Sequence, residues 1–261
     1  MSALRVERDG DILRVTIARA ERRNAFDAAL IAELTEAFAD VADAGVVVLA
    51  GDGPSFCAGA DVEWQRSSID LGYDENVADA MRLYRMLEAI DTCPAPVVAR
   101  VQGFALGGGS GVVACADVVV AGLDAVFGFT EVRLGIIPAV ISPFVLERIG
   151  PGAARRYFLT GERFDAAAAL RIGLVHQVAE DLDAAVERVV GNLLAGGPEA
   201  IRAAKRLIRG RPVGEATAHV AAKLRTSPEG QEGLRAFLEK RPAARPGGGT
   251  WGVYSGARDA E

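Results

Sequence analysis

The segment Phe104-Ala105-Leu106-Gly107-Gly108-Gly109-Ser110-Gly111 has the composition of a backbone anion site. It follows a strand-like run, Val97–Val101, and leads into an apolar, helix-like run, Val112–Ala116. Three consecutive glycines at that junction let the main chain approach a ligand closely. They also leave N–H groups free at a helix N-terminus, where the macrodipole favours negative charge. Such an arrangement suits an oxyanion hole, a pair of N–H donors placed where charge develops on a carbonyl oxygen. The same residues also fit a tight strand-to-helix turn in which glycine only relieves crowding. The segment alone does not separate the two.

Other chemistries are easier to set aside. The dinucleotide pattern G-x-G-x-x-G and the nucleophile elbow G-x-S-x-G both fail at Val112, where each requires glycine. Ser110 is therefore a poor nucleophile. His176 and His219 are far apart in sequence, which argues against a zinc site or a histidine-based triad. Cys57, Cys93 and Cys115 are odd in number and lack metal-ligand spacing, so a reduced, cytoplasmic protein without metal or disulfide framework is expected.

The elements that must position the glycine segment are legible from periodicity. Leu4–Arg8 and Ile12–Ala18 alternate around Asp9-Gly10-Asp11 and read as a hairpin. Asp27 can cap a helix carrying Leu30, Ile31, Leu34 and Phe38 at helical spacing. Val46–Ala50 is a continuous apolar run, as in a strand buried on both faces. A helix from Glu75 to about Ile90, with Met81, Tyr84, Leu87 and Ile90 on one face, stops at Cys93-Pro94-Ala95-Pro96. Short strands are expected at Val118–Ala121, Ala125–Phe127 and Glu131–Leu134. Helices should follow at Ser142–Ile149, Gly152–Leu159, Asp165–Ile172, Leu182–Leu194, Pro198–Ile208, Val213–Leu224 and Pro228–Lys240, with an irregular tail after Arg241. Strands mixed with helices, then helices only, predict an α/β core over residues 1–195 and a helical module over 196–261.

Composition narrows the partners. A net charge of −6 and an isoelectric point near 5.2 argue against a nucleic-acid surface as the main role. The N-terminus has no apolar signal core, and the longest uncharged stretch, between Arg100 and Asp117, is too short to span a bilayer. A soluble protein with no membrane partner is expected.

Three further stretches join the glycine segment. They are Phe56-Cys57-Ala58-Gly59-Ala60-Asp61-Val62, Phe129-Thr130-Glu131-Val132-Arg133-Leu134-Gly135-Ile136-Ile137-Pro138, and Gly230–Pro242. In this order and spacing, the four together resemble the crotonase (enoyl-CoA hydratase/isomerase) superfamily from Ile12 to about Pro242. The resemblance implies a spiral of ββα turns followed by a helical trimerisation module. It also implies an acyl-CoA thioester substrate, with coenzyme A as part of the substrate rather than a separate cofactor, and a homotrimer or dimer of trimers. By the same resemblance, Ala60 and Gly108 donate their N–H groups to the thioester oxygen. Ala58, Gly107 and the stretch Asp61-Val62-Glu63 belong to the substrate and CoA site, and Phe237 and Lys240 help hold the adenine nucleotide.

Hydratases of this family use two glutamates. Glu131 matches one of them, and apolar neighbours such as Phe127, Phe129, Ile136 and Ile137 would raise its pKa toward a value useful for proton exchange. The other belongs three residues after Gly108, where this chain has Gly111. One-carboxylate members include Δ3–Δ2-enoyl-CoA isomerases, so isomerisation is the alternative to hydration. Residues Glu131–Pro143, with Gly59–Trp64 and Gly108–Gly111, look like a bacterial branch assigned to 3-methylglutaconyl-CoA hydration. Asp61 is read as a helix cap or a CoA-side contact, and Trp64 as a wall of the acyl pocket or core. His176 is read as a strand-edge residue and Asp117 as a structural hydrogen-bonding residue. An RNA-binding role and an inactive structural trimer are the non-enzymatic alternatives; acidity opposes the first and retention of Glu131 the second.

Overall fold

The computed structural model describes residues 2–245 and 248–252. The chain opens with the antiparallel hairpin of β1 (Leu4–Asp9) and β2 (Ile12–Ile17), then α1 (Ala28–Ala39) and β3 (Val46–Gly51). Helices α2 (Val62–Ser68) and α3 (Tyr73–Thr92) lead to β4 (Val97–Val101), β5 (Phe104–Leu106) and α4 (Gly108–Cys115). Next come β6 (Val118–Gly122), β7 (Val126–Gly128), α5 (Ser142–Thr160), β8 (Arg163–Asp165), α6 (Ala166–Arg171) and β9 (Gln177–Ala179). Helices α7 (Leu182–Leu194), α8 (Pro198–Gly210), α9 (Glu215–Arg225) and α10 (Pro228–Leu238) precede a small hairpin, β10 (Ala243–Ala244) and β11 (Thr250–Trp251).

The larger sheet runs β1-β2-β3-β4-β6-β9, parallel beyond the first pair. Its inner strands β3 and β6 are apolar throughout because both faces are covered, whereas the edge strand β1 exposes Arg5, Glu7, Arg8 and Asp9. Val47, Leu49, Val97 and Ala99 join the main core, while Val46, Val48, Val98 and Val120 pack beneath Leu182, Ala185, Val186 and Val190 of α7. A second, smaller sheet runs β5-β7-β8. Each turn of chain lays one strand in the large sheet, a short strand in the small one, and a helix on the return, as in β4-β5-α4 and β6-β7-α5. The β3 turn adds Cys57, which bridges Ala105 in the same stack. The architecture is a spiral of ββα turns, as expected.

Several local expectations change. Glu131–Leu134 forms a 3-10 turn rather than a strand, and its end at Gly135 adopts φ 76°. The two helices expected across Ser142–Leu159 are the two arms of α5, broken at Gly150 (φ 70°) before Pro151, whose ring forbids a straight continuation. Met81 lies outward at 40% exposure, and Met86 takes the buried place beside Leu87 and Ile90. Among the described residues after Arg241 the tail is not wholly irregular: β10 pairs with β11, and Arg245 Nη1 reaches Asp11.

Helix α8 is tied to the core by charge. Lys205, 8% exposed, donates to Asp117 Oδ2 at 2.6 Å and to Ala95 O at 3.1 Å. Asp117 also accepts the Val97 N–H at 2.7 Å, so its role is structural. His176 sits just before β9, its N–H donating to Val119 O and its Nδ1 accepting the Val119 N–H.

Candidate active site

Two backbone amides remain unspent where chain segments converge. Phe26 and Ala60 form a parallel bridge: the Phe26 N–H donates to Gly59 O at 2.8 Å and the Asp61 N–H donates to Phe26 O at 2.7 Å. The ladder therefore passes on either side of Ala60 and leaves its own N–H for the opposite face. Gly108 is the first residue of α4, and a first-turn N–H has no partner within its helix. Among the described residues, neither amide has a protein acceptor.

The glycines at this junction have distinct reasons. Gly107 adopts φ 52°, ψ −120°, a conformation closed to side-chain-bearing residues, while its N–H donates to Gly128 O at 2.8 Å. A Cβ on Gly109 would stand 2.5 Å from the carbonyl oxygen of Cys57, so only glycine lets α4 seat against the segment between β3 and α2 that carries Ala60. Ser110 is fully buried and its hydroxyl donates to Ala105 O at 2.6 Å. That hydroxyl braces the turn and is not presented to a substrate.

Glu131 faces this junction because the 3-10 turn brings it back over α4; a Cβ on Gly107 would lie 3.2 Å from its Oε1. Its Oε2 is buried without a hydrogen-bond partner. Burial raises the Glu131 pKa above the usual glutamate value. The surroundings differ from those expected. Phe127 and Phe129 are buried in an aromatic cluster with Phe158 and Phe164, whereas Ile136 and Ile137 are 56% and 69% exposed and form the rim.

Ala58, Ala60, Gly107, Gly108 and Glu131 line one cavity of about 420 Å³, walled by Phe26, Trp64, Leu106, Pro138 and Ile141. Trp64 fills both of its anticipated roles, lining the cavity and packing on the core. Asp61, Val62 and Glu63 do not line it. Asp61 caps α2 through the Glu63 N–H and pairs with Arg22 at 2.9 Å and Arg19 at 3.3 Å, partners that hold its carboxyl below the usual aspartate range despite burial. Val62 is exposed, and Glu63 pairs with Arg66. Phe237 and Lys240 also lie apart: Phe237 lines a separate hollow of about 490 Å³ with Leu224, Leu234 and Trp251. Lys240 follows α10, its N–H donating to Phe237 O.

The cavity wall includes residues that sequence reasoning passed over: Gln65 and Ser68 from α2, and Asn76, Asp79 and Leu83 from α3. Their spacing on α3 is that of one helical face, which was available as a signal. Asp79 is paired with Arg82 at 2.7 Å, so Glu131 is the cavity's one carboxylate without a partner among the described residues.

Two free N–H donors beside a carboxylate of raised proton affinity can stabilise an oxyanion and move a proton at the adjacent carbon. That combination defines a carbonyl-activating, proton-transferring enzyme. The sequence pattern of the enoyl-CoA hydratase/isomerase family matches residues 7–245, and the chain belongs to this family of enzymes. A crotonyl-CoA hydratase of Syntrophomonas wolfei is 32% identical, covering 91% of this chain and 95% of the relative. Among solved structures, an enoyl-CoA hydratase from Shewanella pealeana is 38% identical with a TM-score of 0.88, covering 92% of this chain and 94% of that one. Pseudomonas aeruginosa AtuE is 36% identical with a TM-score of 0.88, covering 92% and 97%.

Proposed function

We propose that this enzyme adds water across the double bond of a 2-enoyl-CoA thioester, with Glu131 as its single acid–base group. The supporting observation is the unpartnered, buried Oε2 of Glu131 in the same cavity as the free amides of Ala60 and Gly108. In this reading the thioester oxygen accepts from both amides. The Glu131 carboxylate takes a proton from water as the water oxygen bonds to C3, and the π electrons pass through C2 to the thioester, giving an enolate. The same carboxyl then returns its proton to C2, regenerating the thioester. The Syntrophomonas relative's name, crotonyl-CoA hydratase, supports water addition.

The 3-methylglutaconyl thioester is the particular substrate that the resemblance of residues 131–143, 59–64 and 108–111 to a bacterial branch puts forward. Isomerisation of a 3-enoyl to a 2-enoyl thioester is the second reading, favoured by the single unpaired carboxylate. Purified protein assayed with 2-enoyl, 3-enoyl and 3-methylglutaconyl thioesters decides between them: net water addition is expected, and double-bond migration without it would overturn the first reading. We place the enzyme in the cytoplasm, where three buried free thiols remain reduced, as a homotrimer or dimer of trimers assembled through residues 196–261.

A further inference from the structure

Gly111 is buried behind Ile141. A side chain at 111 would place its Cβ 2.5 Å from Ile141 Cγ2 and 2.9 Å from Ile141 Cβ, contacts that no packed structure sustains. On another side the same Cβ would meet Leu87 Cδ2 at an ordinary 3.7 Å, so at the Cβ the conflict is with Ile141. Ile141 is 2% exposed and lines the cavity with Glu131, whereas Gly111 does not. The isoleucine therefore stands between position 111 and the substrate.

The position of Ile141 is held by its backbone. It precedes α5 with φ −82° and ψ −15°, and its carbonyl accepts the Val145 N–H at 3.1 Å. The next residue, Ser142, donates its N–H to Ala139 O at 3.2 Å. A rotamer change cannot clear the site, because Cβ itself is in the way. Alanine at 141 would keep that 2.9 Å conflict, and only glycine removes it.

We propose that Ile141 is a specificity-determining residue, coupled to Gly111. It fills the volume a second acidic side chain would need and replaces a water-anchoring group with hydrocarbon, leaving water placement and proton transfer to Glu131. The absence of a second glutamate is then a property of two residues from different turns of the spiral, because position 111 cannot take a side chain unless Ile141 changes with it. The inference rests on the water-addition reading.

The test compares wild type with Gly111→Glu, Ile141→Gly and the double variant. Each is measured for thermal midpoint, crotonyl-CoA hydration and migration of a linear 3-enoyl-CoA. Gly111→Glu alone should melt below wild type. The double variant should melt above Gly111→Glu and hydrate crotonyl-CoA at least about tenfold faster in kcat than Ile141→Gly, with its hydration-to-migration ratio raised. A Gly111→Glu protein that melts and hydrates like the double variant would overturn the proposal, as would a folded double variant no better than Ile141→Gly. If the double variant does not fold, a melting cycle of Gly111→Ala with Ile141→Gly replaces it; purely additive effects would overturn the coupling. Failure of the underlying reading looks different: wild type would hydrate none of the thioesters, while the melting cycle still showed coupling.

Discussion

Arg148 closes the carboxyl end of the helix whose amino end carries Gly108. Its Nε and Nη2 donate to Ala114 O at 3.2 and 3.1 Å, and Nη2 also reaches Ala116 O. A cation at a helix C-terminus is favoured by the macrodipole, and the carbonyls it satisfies are largely removed from water. The same guanidinium contacts His176 Nε2 at 3.1 Å. Arg148 thus joins the site-bearing helix α4 to α5 and to the segment before β9. Arg148→Met should cost roughly 2–4 kcal/mol of stability by leaving those carbonyls unpaired. It should also lower kcat more than it changes KM, because α4 would no longer be held in place. Denaturant melts with steady-state kinetics check both, and an unchanged kcat would remove the positioning role.

Gly109→Ala tests the seating of α4 directly. The new Cβ meets backbone, the Cys57 carbonyl at 2.5 Å, which cannot rotate away. Separation of α4 from the Cys57–Ala60 segment should misplace Gly108 relative to Ala60. The expected loss is about 10²–10³-fold in kcat, similar to deleting one oxyanion donor. Thioester binding by calorimetry should change far less than turnover.

Glu131→Gln should lower turnover by about 10²–10⁴-fold. It should also raise stability at neutral pH, and the sign follows from the raised pKa. Below the unfolded pKa both states carry the proton and burial costs nothing; above the folded pKa the buried anion bears its whole desolvation penalty. The gain in Tm over wild type should therefore be largest at pH 7–8 and shrink toward the ordinary glutamate value of 4.5. A pH-independent difference would mean that another group carries the shift.

His176 works in the opposite direction. Burial, and next the charge of Arg148, depress its pKa below 6.5. The unfolded chain therefore binds this proton first. The contribution is fully present above 6.5 and is lost as pH falls through the folded pKa. His176→Asn, which keeps an acceptor for the Val119 N–H, should flatten the decline of Tm below pH 6.5. Equal slopes in both proteins would refute this.

Helices α8 and α10 and the loop after α8 leave Ile208, Val213, Phe237 and Leu238 between 60% and 82% exposed. Apolar surface of that kind favours association. Sedimentation at micromolar concentration should give a trimer or hexamer, and Phe237→Glu with Ile208→Glu should shift it toward smaller species. A stable wild-type monomer would contradict the assembly.

The sequence by itself determined the strands buried on both faces, most helices and the aspartate cap of α1. In each case the information is local: Val46–Leu49 is apolar at every position because both sides are covered, and Asp27 caps α1 through the Leu30 N–H three residues on. The glycine segment, Glu131 and the gap at Gly111 were also legible, through resemblance of the whole pattern. Tertiary structure decided the rest. That Ala60 keeps a free amide depends on a bridge from Phe26, which no local pattern encodes. Asp61 turned to Arg19 and Arg22, and α3 supplied a wall with Asn76, Asp79 and Leu83, only because separate turns of the spiral stack. The vacancy at Gly111 reads in sequence as a missing side chain; in the fold it is volume already occupied by Ile141. Packing excludes two atoms from one place, and that constraint links residues that sequence spacing keeps apart.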